Sequence, residues 1–368
     1  MDTMRFMAVG DIMLSRNRGT GRMIESRGPH YPFEQVQGYL SQADVLFGNL
    51  EGPASLKGAS FAGQDPHVTF SAWPQSVQGL AGCGFDVLSL ANNHACDYGH
   101  EALQDTIDLV TGSSIACAGA GASTSEAYRP VIIQRGGIRI GVLAYTAFIM
   151  FMTRPPGRGR CGVAVFSLAQ ACRQIRKLAG QVDVVAVSMH WGMDFTEHPL
   201  PLYREYARRM IDAGAHIILG HHPHYLQGIE RYRHGIIAYS LGDFIFDEPG
   251  QDTMILELGI TKRGIQDLTV VPARITPQFQ TRLLGSREGR QVLDKVRALS
   301  SECACLGREA ADELWRKYII TNLSIFLKSY NTHALRNLMV PVVAGNLARL
   351  YLIWVKKRMK KRLFSTTE

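Results

Sequence analysis

The 368-residue chain reads as an α/β protein on two observations: short β-branched runs alternate with amphipathic helical segments, and several runs end in ligand-type polar residues. The runs at residues 6–9, 45–47, 87–91, 139–145, 184–189, 216–219 and 236–239 have the length and composition of buried strands. Between them, Tyr203, Tyr206, Ala207, Met210 and Ile211 recur at helical spacing and form one apolar stripe. Leu103, Ile107 and Val110 mark a second helix, and residues 168–178 a third. Strand–helix alternation of this kind belongs to an α/β core. Residues 254–260 and 268–275 predict a hairpin turning at Lys262-Arg263-Gly264. Residues 148–162, with Pro155-Pro156-Gly157 and three arginines, predict a long loop.

At 46% hydrophobic and 20% charged, the chain has the composition of a globular protein able to bury one large core and carry an appendage. Its net charge of +8 is unevenly placed: residues 1–280 sum to −2 and residues 281–368 to +10. That split excludes a uniformly basic nucleic-acid-binding surface. After Pro277 the chain turns polar, basic and helix-like, which puts the expected boundary between a catalytic domain, 1–280, and a basic helical extension, 281–368. Residues 338–355 are apolar but interrupted by Pro341, Gly345, Asn346 and Arg349, and six positive charges follow in residues 356–362. This pattern suits an amphipathic helix on an anionic membrane face or a helix packed on the core, rather than a spanning one. Seven cysteines without a CxxC pair read as reduced thiols, and the N-terminus lacks a signal-peptide pattern, so a cytoplasmic location is expected.

The chemistry sits at the ends of the strands. Asp11, Glu51, Asn93 with His94, His190, and the cluster His221, His222 and His224 each follow a buried run. In an α/β sheet the C-terminal strand edges converge on one rim, where sites are built. Taken singly, Gly10-Asp11 is an ordinary turn and His190 an ordinary core histidine. Three imidazoles within four residues, however, are costly to bury unless they coordinate or pair. Carboxylate, amide and imidazole ligands without cysteine suit one or two divalent ions of Mn, Fe or Zn.

These residues also carry a resemblance. Gly10-Asp11, Asn49-Leu50-Glu51, Ala91-Asn92-Asn93-His94, His190-Trp191-Gly192, Gly220-His221-His222-Pro223-His224 and Gly242-Asp243-Phe244 are similar, in order and spacing, to the motifs of the CapA family. That family is associated with poly-γ-glutamate capsule synthesis and lies within the calcineurin-like metallophosphoesterase superfamily. The resemblance covers residues 4–250 and implies a four-layer α/β/β/α sandwich with two metals at the strand ends. It implies that Asp11 binds the first metal, Glu51 bridges, and Asn93 and His190 bind the second. It further implies that His222 and His224 each reach a metal, with His221 as the alternative to His222, and that His94 is the proton donor. Two positions depart from the superfamily pattern: Met13 stands where a histidine is usual, and Glu51 where an aspartate is usual.

Arg154, Arg158 and Arg160 are the candidate clamp for an anionic peptide or polymer substrate. The function expected is hydrolysis of a peptide, amide or phosphoester linkage in capsule or cell-surface polymer metabolism. Two alternatives are a metal-dependent peptide epimerase and a non-catalytic, metal-stabilised scaffold for polymer synthesis or export.

Overall fold

A computed structural model describes residues 3–60, 68–148, 155–157, 159–305 and 313. The first half runs β1 (Met4–Ile12), α1 (Gly19–Arg27), α2 (Gln37–Leu40), β2 (Val45–Leu50), α3 (Ser76–Gly82), β3 (Val87–Ser89), α4 (Gly99–Gly112), β4 (Ala116–Ala118) and β5 (Ala120–Gly121). There follow α5 (Thr124–Ala127), β6 (Val131–Arg135), β7 (Ile138–Thr146), β8 (Gly162–Val163), α6 (Leu168–Ala179), β9 (Val184–His190), α7 (Pro201–Asp212) and β10 (Ile217–His221). The last elements are β11 (Ile229–Tyr232), β12 (Gly235–Ala238), β13 (Asp243–Ile245), β14 (Asp252–Thr261), β15 (Gly264–Ile275), β16 (Thr281–Leu283) and α8 (Ser286–Cys305). Every strand run read from the sequence is a strand, and the 254–275 hairpin forms with Thr261 opposite Gly264.

Two sheets face each other. The larger has the order β16-β15-β14-β1-β2-β3-β4, with β13 also on β1; the smaller has the order β11-β12-β10-β9-β7-β6. The strands nearest the site are parallel in each: β1, β2 and β3 in one, β7, β9 and β10 in the other. Phe6, Ala8, Phe47, Val87 and Leu256 meet Ile140, Val142, Ala186, Ile217 and Leu219 in one buried layer between the sheets. On the outer face of the larger sheet, Met7, Val9, Leu46 and Leu88 pack with Ile24, Leu80, Leu103 and Val110 of α1, α3 and α4. Helices α6 and α7 cover the outer face of the smaller sheet through β7, β9 and β10. The result is a four-layer α/β/β/α sandwich. Strands buried on both faces explain why the runs are continuously apolar rather than alternating.

The expected boundary at residue 280 falls inside this unit. β16 adds to β15, and α8 packs on β11 and β15 through Val292, Val296, Leu299 and Cys303. Those residues lie 4, 3 and 4 apart, an apolar helix stripe set in a polar, basic sequence. The first unit therefore runs on to Gly307, and a second unit comprises Ala62–Val68 and Arg308–Glu368. The apolar stretch 338–355 and the basic run 356–362 lie outside the described residues, as do Arg154 and Arg158. Among the described residues no helix is long and apolar enough to cross a membrane.

Candidate metal centre

Two glycines let the strands carrying the site residues approach their neighbours. A Cβ on Gly10 would meet the Gly242 carbonyl oxygen at 1.8 Å, and one on Gly220 would meet that of Tyr239 at 1.8 Å. The close approach permits the Asp11 N–H to donate to Gly242 O at 2.9 Å, and the Leu241 N–H to Gly220 O at 3.0 Å. The parallel registers then align the ligand residues. Asp11 lies opposite both Asn49 and Asp243, and His190 lies opposite His221. His222 and His224 adopt φ of +95° and +62°, outside the regions that non-glycine residues prefer. Strained backbone of this kind persists where the surroundings fix it, and it clusters at functional sites.

The side chains converge. Asn49 Nδ2 donates to Asp11 Oδ1 at 2.8 Å, and the His222 backbone N–H donates to Asp11 Oδ2 at 2.9 Å. His221 Nδ1 lies 3.1 Å from Asp11 Oδ1. His190 Nε2 and Asn93 Oδ1 are 2.7 Å apart, so the pair faces a common point. His224 Nδ1 is 2.8 Å from Asp243 Oδ1, while its Nε2 lies 3.9 Å from Asp194 Oδ1. The same Asp194 oxygen is 3.1 Å from His222 Nε2. Phe148 stacks on His222 with ring centroids 4.0 Å apart and closes this side with carbon.

The electrostatics expose one misfit. Glu51 is 1% exposed, and neither of its carboxylate oxygens has a hydrogen-bond partner. The nearest imidazole nitrogen, His94 Nε2, is 3.8 Å away. Burial, with Asp11 close by, pushes the Glu51 carboxyl well above the usual carboxylate range. A buried, unpartnered carboxylate is costly, and a cation between Glu51, Asp11 and His224 would remove that cost. The ligand atoms of these three residues lie within 4.8 Å of one another, as do those of Asp194, His222 and His224. Burial also holds His190 well below its ordinary value and brings His222 down to about 4, leaving both imidazoles neutral and able to coordinate. The residues present fit a divalent cation.

His94 is placed differently. Its Nδ1 meets Asp97 Oδ2 at 2.7 Å, and that oxygen also accepts the Phe70 N–H at 2.8 Å. Its ring stacks on Phe70 with centroids 4.2 Å apart. The imidazole is thereby oriented, with Nε2 turned toward Glu51.

Residues 5–248 match the family model described as bacterial capsule synthesis protein PGA_cap. The chain belongs to this family. It is 34% identical over 275 residues to the capsule biosynthesis protein CapA of Bacillus anthracis, covering 73% of this chain and 66% of that relative. It is 31% identical to the PGA biosynthesis protein CapA of Bacillus subtilis (strain 168), covering 74% of this chain and 72% of the relative. A probable polyglutamine synthesis accessory protein of Mycobacterium tuberculosis is 32% identical, with 66% of each chain covered. Among solved structures, the NAD nucleotidase of Haemophilus influenzae aligns at a TM-score of 0.44 and 13% identity, over 86% of this chain and 60% of that one.

Within this PGA_cap chain, Met13 packs in a small apolar cluster. It is fully buried with Phe70, Phe246 and Ile275, and its sulfur accepts the Ser15 N–H at 3.2 Å. Three carboxylates that the sequence reading gave no role belong to the site. Asp97 orients His94, Asp243 orients His224, and Asp194 stands between His222 and His224. Proximity in sequence was the available signal, since Asp97 is three residues past His94 and Asp194 four past His190. Of the three loop arginines, only Arg160 is described. It is exposed, and its backbone pairs with Gly157.

Proposed function

We propose that this chain is a metal-dependent hydrolase of poly-γ-glutamate capsule metabolism, acting on an anionic peptide, amide or phosphoester linkage. The observation that carries the reading is the buried Glu51 carboxylate, unpartnered beside Asp11 and His224. Asp11, Glu51, Asn93, His190, His222 and His224 would hold one or two ions of Mn, Fe or Zn. Bound there, such an ion supplies Lewis acidity toward the substrate oxygen and makes water a better nucleophile near neutral pH.

The chain's own groups do the rest. Asp243 fixes the tautomer and direction of His224, as a carboxylate behind a ligand histidine does. Phe148, Phe70 and Phe246 wall the rim with carbon, which strengthens every charge interaction inside it. His94, held by Asp97, delivers a proton to the leaving group. Family membership supports the polymer, and the ligand set supports hydrolysis.

The test is metal analysis of purified protein, followed by incubation of metal-loaded protein with γ-glutamyl peptides and phosphoesters. Cleavage that is lost on chelation and restored by one of the three metals is the expected result. Protein that holds no metal after expression in supplemented medium would overturn the reading. Inversion of a stereocentre without cleavage would replace it with the epimerase.

A further inference from the structure

The loop between Asp11 and α1 carries two arginines that no catalytic argument has used. The Arg16 guanidinium lies 5.9 Å from the Trp73 ring centroid and 5.3 Å from that of Tyr98. That of Arg18 lies 5.8 Å from the Phe70 ring, whose centroid is 4.2 Å from that of His94. Both arginines are half-buried, and among the described residues neither has a carboxylate partner. The Arg18 Nε is buried with no hydrogen-bond partner at all. Elsewhere in the fold several half-buried arginines are matched, Arg5 with Glu257, Arg208 with Glu230, and Arg274 with Asp252 and Glu288, although Arg204, whose Nε also lacks a partner, is not. Aromatic rings thus hold two cations that no carboxylate among the described residues pairs with, the nearby Asp247 being turned to Gly19 and Thr20. Arginine heads held this way lose little further freedom on binding, and their planar forks suit carboxylates.

We infer that Arg16 and Arg18 form a substrate-positioning subsite for the free carboxylates of the polymer, leading into His94 across the Phe70 ring. The inference rests on the proposed function for its substrate. A phosphate would call for backbone amides as well, yet those of Arg16, Arg18, Gly19 and Thr20 are already engaged. Gly19 N and Thr20 N both donate to Asp247, at 2.5 and 2.9 Å, and the Thr20 hydroxyl does so at 2.6 Å. What is left is two guanidinium forks, a match for successive singly charged groups rather than one doubly charged group. The subsite lies beside His94 within the described fold, whereas Arg154 and Arg158 lie outside the described residues.

The test uses full-length protein with a γ-linked glutamate pentamer and the same pentamer with its free carboxylates amidated. Binding is measured by calorimetry, with melting curves and metal content recorded for each variant. Arg16→Gln and Arg18→Gln should each weaken the acidic pentamer by roughly 10- to 100-fold, the range for one hydrogen bond to a charged group. Metal content and melting temperature should stay at wild-type values, and Arg18→Lys should recover part of the loss. The amidated pentamer should bind wild type no better than the acidic one binds the double variant. Equal affinity of the acidic pentamer for wild type and both glutamine variants would overturn the subsite. Inorganic phosphate displacing the pentamer at concentrations where acetate does not would overturn the assignment to carboxylates. If arginine-dependent binding persists while no metal restores cleavage, the hydrolase reading fails and the subsite stands.

Discussion

The two sheets bring opposite chemistries to the rim. The larger contributes oxygen donors, Asp11, Glu51 and Asn93, with Asp243 behind them; the smaller contributes nitrogen donors, His190, His221, His222 and His224, from the ends of β9 and β10. Asp11 is already matched across the gap by His221 and the His222 N–H, and although burial pushes its carboxyl up, those contacts hold it below its ordinary value. Glu51, one strand further along, has no such partner. Neither half is satisfied alone, and a divalent cation between them would satisfy both.

The largest effect should come from emptying the shared position. Chelation should lower the melting temperature by several degrees, because a ligand bound only to the native state stabilises it by mass action. His190→Ala and Asn93→Ala should each reduce metal content below the one to two equivalents expected of wild type. Glu51→Gln gives the sharper test. It should lose metal and yet, in chelator, melt above wild type, since it removes a buried carboxyl without a partner. A Glu51→Gln variant that keeps its metal would end the bridging role.

The comparison then separates ligands from proton carriers. His94→Asn should cut turnover by roughly 10²- to 10⁴-fold, the usual range for an acid–base group, with metal content unchanged. Asp97→Asn should lower turnover less and shift its pH profile, because it acts through His94. Loss of metal in proportion to activity in the His94 variant would move that histidine into the ligand set. Next in size, Asp243→Asn and Asp194→Asn should each weaken metal affinity by roughly 10- to 100-fold, the effect of removing a carboxylate that supports a ligand histidine. An unchanged affinity in Asp194→Asn would show a surface ion pair and nothing more.

The strands and the polar residues gathered after them were legible because a buried parallel strand is a continuous apolar run, and the residue after it has nowhere to go but the rim. Two of the carboxylates behind the imidazoles were not. Asp97 and Asp194 sit in polar turns where aspartate is ordinary, and only the fold shows which imidazole each faces. Residues 281–305 read as part of a separate basic extension because their bulk charge hid the stripe of Val292, Val296, Leu299 and Cys303. Arg16 and Arg18 were passed over because arginines in a loop read as solvated, and the rings that hold them come from Phe70, Trp73 and Tyr98, distant in sequence.

A smaller effect marks the histidines that lie away from the rim. His216, next to the start of β10, accepts the Val185 N–H through Nδ1 at 3.2 Å, and burial, with His234 beside it, brings it down to about 4. Its folded value lies below the unfolded value of 6.5, so the unfolded chain takes up the proton first as pH falls. Its contribution to stability is complete above pH 6.5 and is lost toward pH 4, with a slope of at most about 1.4 kcal/mol per pH unit. His216→Asn should flatten that part of the stability curve. An identical pH dependence in the variant would assign all of the acid sensitivity to the rim.

The smallest effect, and the one that decides whether sulfur joins the rim, is at Met13. If its thioether were a ligand, a hydrocarbon of similar volume should lower metal affinity. If it is packing, with sulfur turned to the Ser15 N–H and carbon against Phe70, Phe246 and Ile275, the same change should leave metal untouched. Thioethers are poor donors to Mn, Fe or Zn in a shell of oxygen and nitrogen, so packing is the expected role. Met13→Leu should cost less than about 1.5 kcal/mol, as volume-conserving core exchanges do. Metal content and affinity should match wild type in the same preparation. A Met13→Leu protein that folds normally but has lost metal would place sulfur in the coordination shell, and the oxygen-rich side of the rim would then be one ligand larger than the geometry indicates.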